Sequence, residues 1–231
     1  MNRLITPVIG TCHDSFCQLC CGSASIKSQS ATLWEYLETA LDLIELEHAR
    51  GNSAPIKLAI VGRDPYPEEA IGIPFAKPTI AKTASSLSGG VIFRSLGVDI
   101  HAWRGNDVKI LFEKLLKQRI VFLNASYVFL GKGPLVQGKH GAYLHCANTA
   151  NSIIVNGTEQ VVLCGEAAKG YKWANGLKTK TVLAPKFHCV PHPSARVYNR
   201  NEAEFQKYWA PGALVNMFGL QTVMSAVNCG R

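Results

Sequence analysis

The stretch "KLAIVGRDPYPEEAIGIPF" (residues 57–75) decides how the rest of the chain is read. Lys57 to Val61 is a short apolar run, which reads as a buried strand. It runs into Gly62, and Arg63, Asp64, Pro65, Tyr66 and Pro67 follow at once. Glycine frees the backbone and proline stiffens it, so the acid between them has a fixed place at the strand's end. Asp64 by itself also reads as a helix cap.

Outward from this stretch, strands and helices alternate. "ATLWEYLETALDLIELEHARG" (31–51) places Leu33, Tyr36, Leu37, Ala40, Leu41 and Ile44 at helical spacing, and Gly51 stops it. Helices are also predicted over 107–118 and 142–157. "RIVFLNAS" (119–126) reads as a strand ending in a polar turn. Residues 159–177 read as strand, glycine turn and helix. "KFHCVPHPSARVYN" (186–199) reads as a strand that breaks at its prolines. This alternation predicts an α/β fold with a central, largely parallel four-stranded sheet and helices on both faces. Residues 1–30 read as an N-terminal arm or loop, and 31–231 as a single domain.

Polar residues now collect at strand ends. Asp64 follows the first strand, Asn124 ends the second, Gly165 the third and His192 the fourth. Open α/β sheets bind ligands at the carboxyl ends of their strands. Asp, Asn and His would therefore meet at one rim, from positions 60 and 68 residues apart. Each has a bland reading of its own, as cap, turn former or satisfied polar group, but three at strand ends form a pattern.

Composition narrows the partners. The chain has 24 Lys plus Arg against 16 Asp plus Glu, a formal charge of +8, which suits an anionic partner such as DNA. No apolar run is long enough for a membrane-spanning helix, and the first residues lack the core of a signal peptide, so a cytoplasmic protein is expected. Its eight cysteines then need no disulfides. Cys12, Cys17, Cys20 and Cys21 cluster, and Cys17-x-x-Cys20 has metal-ligand spacing. A second close pair is missing, so no metal is expected, with zinc or an iron–sulfur cluster as the alternative.

"GRDPYP" with Phe75, "VFLNAS" and "HPSAR" resemble the motifs of the family I uracil-DNA glycosylases, which typically read G-Q-D-P-Y-H, L-L-N-T and H-P-S-P-L. The resemblance runs over roughly residues 55 to 200. Pro67 in place of histidine, a loop two residues shorter before Phe75, and "HPSAR" look more like the divergent poxvirus branch. The resemblance implies a monofunctional glycosylase that flips a base out of DNA and hydrolyses its glycosidic bond with water, without cofactor, as a monomer. Asp64 and His192 would be catalytic, the first facing the cationic sugar and the water, the second donating to base O2. Gly62, Arg63, Tyr66, Phe75 and Asn124 would hold the base: main chain at Gly62 and Arg63 on O2, Tyr66 against ring carbon 5, Phe75 stacked, Asn124 on the pairing edge. Ser86 and Ser194 would meet phosphates, and Arg196 would take the wedge position.

Uracil is the expected base. A hypermodified cytosine from phage DNA, excised in antiviral defence, is the alternative, because the altered loop borders carbon 5. A non-catalytic DNA-binding module is a further alternative, weakened by the presence of all three chemical residues. No G-x-x-x-x-G-K-[ST] loop supports a free-nucleotide enzyme.

Overall fold

The computed structural model describes residues 24–100, 103, 107–125, 127, 145–165, 185–194 and 201–220. Their elements follow in chain order: α1 (Ala24–Ala49), β1 (Ile56–Gly62), α2 (Ile80–Ser85), α3 (Gly89–Ser95), α4 (Val108–Lys117), β2 (Ile120–Asn124), α5 (His145–Asn156), β3 (Thr158–Cys164), β4 (Lys186–Val190), α6 (Glu202–Trp209) and α7 (Ala213–Phe218).

The four strands form one sheet in the order β2-β1-β3-β4, and every pairing is parallel. Leu58 pairs with Ile120 on one side and Gln160 on the other, so β1 is central. All five residues of β2 are buried, as are Leu58 to Gly62 of β1. Burial of consecutive residues, whose side chains alternate between faces, requires cover on both sides of the sheet. β4 is the more open edge, with Lys186 and Cys189 exposed.

The amphipathic spacing seen in the sequence becomes packing. Leu33, Tyr36, Leu37, Ala40, Leu41 and Ile44 of α1 are all buried, and α1 packs on α5 and α4. Gly51 turns the chain out of α1 with φ +82°, and its N–H bonds the His48 carbonyl at 2.9 Å. α1 starts at Ala24, seven residues before the predicted start and inside the segment read as an arm. On α4, Asp107 caps the first turn by accepting from the Lys109 N–H at 2.8 Å, and Val108, Leu111, Phe112, Leu115 and Leu116 face inward. Phe75, Phe93, Phe112 and Phe122 meet edge to face or tilted, with ring centroids 5.0–6.2 Å apart. Burial of one such ring contributes about 1.5–3 kcal/mol. The Tyr36 hydroxyl accepts the Phe122 N–H at 2.9 Å, which satisfies an amide on the outer edge of β2.

On the other flank, α3 packs against α6 and α7. No helix among the described residues is long and apolar enough to cross a membrane.

Candidate active site

The site begins where β1 runs out. Gly62 pairs with Asn124 across the sheet, and its carbonyl accepts the Ala125 N–H at 2.9 Å. The glycine is required by contact: a Cβ there would lie 2.7 Å from Asn124 Oδ1 and 2.7 Å from Phe75 Cζ. Phe75 holds its ring against Gly62 from a left-handed backbone, φ +64°, a conformation that costs a non-glycine residue on the order of 1–3 kcal/mol and tends to persist at functional sites. Asn124 is buried, and its main chain is clamped. Its carbonyl accepts from Asn151 Nδ2 at 2.9 Å and its N–H reaches the Tyr127 hydroxyl at 3.3 Å.

Beyond Gly62 the chain enters a cavity of about 330 Å³. Arg63, Asp64, Pro65, Tyr66, Pro67 and Phe75 line it from the β1 side, Ser88 from the turn just before α3, Cys164 and Gly165 from the end of β3, and His192 from the segment after β4. Five residues predicted for the site, Arg63, Asp64, Tyr66, Phe75 and His192, therefore share one cavity. Gly62 and Asn124 pack behind Phe75 and are not part of its lining.

Asp64 Oδ2 is buried 3.4 Å from Arg63 Nε, an ion pair without hydrogen-bond geometry. Burial raises the Asp64 carboxyl above the ordinary carboxylate range, and the Arg63 charge partly opposes this. His192 is shifted the other way: burial, and then the Arg63 charge, lower it. The two shifts run toward a more basic carboxyl and a less basic imidazole. Two contacts fix the imidazole's segment. Trp209 Nε1 of α6 donates to the Pro191 carbonyl at 2.8 Å. Gly165 is at φ +74°, and a Cβ there would sit 3.1 Å from His192 Cβ.

Tyr66 forms one wall. Its hydroxyl lies 2.9 Å from Ser86 Oγ, and Lys77 Nζ sits 5.3 Å from its ring centre. Ser86 gives its single proton to the Thr83 carbonyl at 2.7 Å and accepts the Gly89 N–H at 3.0 Å, which leaves Tyr66 as the donor in their bond. The hydroxyl read from the sequence as a phosphate donor thus already ties Tyr66 to the start of α3, and a phosphate would have to displace the Thr83 carbonyl. Ser194 closes a tight turn, its N–H bonding the His192 carbonyl at 2.7 Å. Arg196 lies outside the described residues, as do Cys12, Cys17, Cys20 and Cys21. Among the described residues no group of three or more His, Cys, Asp or Glu side chains could hold a metal ion.

Sequence reading missed Asn151, Tyr127, Ser88 and Trp209. Asn151 falls in a predicted helix and Trp209 in a stretch assigned no element, and spacing alone does not show that their polar atoms reach strand ends.

No family model matches the sequence, and no curated relative matches it. Among solved structures, the wild-type UNG of Nitratifractor salsuginis is similar at 16% identity and a TM-score of 0.43, over 85% of this chain and 96% of that one. A tyrosine-to-glycine mutant of the same UNG is similar at 16% identity and a TM-score of 0.43, over 81% of this chain and 92% of that one.

Proposed function

We propose that this protein is a monofunctional DNA glycosylase that takes a pyrimidine out of the base stack and hydrolyses its glycosidic bond, with uracil as the base. The observation that carries the reading is that Asp64 and His192, from strand ends far apart in sequence, line one cavity walled by Tyr66 and Phe75. The motif resemblance in "GRDPYP", "VFLNAS" and "HPSAR" points the same way, and its Pro67 and shortened loop fit the poxvirus-like branch.

The chemistry follows from the side chains. The bond between sugar C1′ and base N1 breaks first, leaving positive charge on the sugar and negative charge on the base. The Asp64 carboxylate stabilises the sugar cation electrostatically. Its raised pKa also makes it a better acceptor for the proton of the attacking water, whose oxygen bonds C1′. His192, neutral, donates to base O2 where the negative charge gathers. Phe75 and Tyr66 supply apolar walls for a flipped ring. Tyr66 limits the space at carbon 5, and Asn124, which packs behind Phe75 outside the lining, meets the pairing edge only once Phe75 moves aside. The basic chain, as a monomer and without cofactor, meets DNA through its phosphates, with Ser194 and Arg196 among the contacts.

The test is incubation with oligonucleotides carrying uracil, thymine, 5-hydroxymethylcytosine or its glucosylated form, with abasic sites read by alkaline cleavage. Release of uracil alone is expected. Release of the glucosylated base instead reassigns the substrate to modified DNA, and binding without release from any of them makes the protein a DNA-binding module.

A further inference from the structure

The family motif that residues 62–67 resemble carries an uncharged glutamine where this chain has Arg63. We propose that Arg63 is a positioning residue: a fixed positive charge in the cavity wall, shared by Asp64 and His192, that keeps the first an anion and the second a neutral donor. The inference rests on the glycosylase reading above and adds to it a residue that acts through both catalytic groups.

Geometry carries the argument. Arg63, Asp64 and His192 line the same cavity. Arg63 Nε and Asp64 Oδ2 are both buried, 3.4 Å apart, and neither atom makes a hydrogen bond. A carboxylate oxygen in that position loses its water and gains no donor with good geometry, so the proton is favoured unless a cation stands beside it. A guanidinium suits this task because it keeps its charge at every working pH and has no acceptor to offer a proton. The same charge works against a second cation, so a protonated His192 would face like-charge repulsion in a partly dry cavity.

The other groups around the cavity do not supply this charge. Burial raises the Tyr66 hydroxyl and the Cys164 thiol, so both stay neutral. Lys77 stands over the Tyr66 ring and pairs with Glu69 at 3.5 Å. Lys82 also pairs with Glu69. His188 on β4 hydrogen-bonds Gln160 on β3 at 2.8 Å. Among the described residues lining the cavity, Arg63 is the one permanent cation. The causes acting on the two catalytic groups agree with its placement, since its charge lowers Asp64 against the effect of burial and lowers His192 together with burial.

The consequence is a pH range. Turnover needs Asp64 deprotonated and His192 neutral, and both conditions fail on the acid side. Removing the Arg63 charge lets both groups hold protons to higher pH, so the acid limb of activity moves up.

The experiment combines imidazole NMR of histidine-labelled protein with pH–rate profiles for the parent, Arg63→Gln and Arg63→Lys. His192 in the parent should titrate below the ordinary imidazole value, rise in Arg63→Gln and stay near the parent in Arg63→Lys. The activity ratio of parent to Arg63→Gln should be about tenfold larger at about pH 5.5 than at about pH 8.5. An unmoved His192 titration in Arg63→Gln overturns the proposal, as does Arg63→Lys behaving like Arg63→Gln. If Arg63→Gln does not fold, the parent titration decides: an ordinary or raised His192 overturns the idea. A parent that releases no base from any DNA defeats the glycosylase reading, while the NMR result still judges Arg63 on its own.

Discussion

Asn151 on α5 holds the end of β2 in place: its Nδ2 donates to the Asn124 carbonyl at 2.9 Å, and its Oδ1 accepts from the Tyr127 hydroxyl at 2.6 Å. Both groups of the amide are used in a buried setting. Asn151→Ala would leave the Asn124 carbonyl and the Tyr127 hydroxyl short of a partner away from water. A loss of about 2–3 kcal/mol is expected in urea unfolding. A loss below about 0.5 kcal/mol would show that the network contributes nothing to the clamp.

Asp64→Asn separates stability from activity. Base release should slow by roughly 10²-fold or more, near 3 kcal/mol of transition-state stabilisation, with DNA affinity nearly unchanged. Stability should move the other way. A carboxyl whose folded pKa lies above its unfolded value binds more protons in the folded state, so stability falls as pH rises through that interval. At neutral pH the parent therefore carries the cost of a charged Asp64, and the amide does not. The variant should melt above the parent at about pH 7, and the gap should close in acid, below the unfolded carboxyl value of about 3.9. A parent that is the more stable of the two at neutral pH contradicts this.

Gly62→Ala places a methyl 2.7 Å from both Asn124 Oδ1 and Phe75 Cζ. Neither neighbour yields easily. Asn124 is clamped through its main chain, and Phe75 already sits at φ +64°. The expected outcome is a destabilisation of about 1–3 kcal/mol with activity reduced beyond what unfolding explains. Thermal melts paired with single-turnover rates on folded protein check it. An active variant of parental stability would mean that Phe75 can move aside.

Tyr66 tests the choice of base. If its ring fills the space that a carbon-5 substituent needs, Tyr66→Ala should admit thymine, improving its release relative to uracil by roughly 10- to 200-fold. If the parent instead works on a base with a large group at carbon 5, the same substitution should lower activity on that base and broaden nothing. Tyr66→Phe removes the hydroxyl that bonds Ser86 and leaves the ring in place, so it should keep base discrimination with a small loss of stability, about 1 kcal/mol.

The strands and the strand-end residues were legible because they depend on short-range signals. A strand-like run closed by glycine, by proline or, after β2, by a polar turn marks each of β1 to β4, and parallel order brings their ends to one rim without further information. Asp64 and His192 could thus be expected near one another from the sequence, and both line one cavity. The early start of α1 was not legible, since "ASIKSQS" carries no apolar periodicity and its helix is seen only in the backbone. The left-handed Phe75 gave no signal either, because nothing about a phenylalanine announces positive φ. Ser86 was read from its loop as a phosphate donor, yet its partners are set by how α2 and α3 meet Tyr66. The same holds for Asn151 and Trp209, whose roles depend on helix rotation against a strand end.

The central place of β1 has a consequence for how activity can appear during folding. β1 pairs with β2 and β3, both far downstream in the chain, and neither pairing is a local hairpin. Long loops must close before any of these pairs forms, which makes assembly slow and late. Asp64 and His192 sit on opposite sides of that closure, so a half-assembled sheet contains no half-active site. Activity recovered after dilution from denaturant should therefore follow the rate of global refolding, lagging behind the early return of helical signal from α1 and α4.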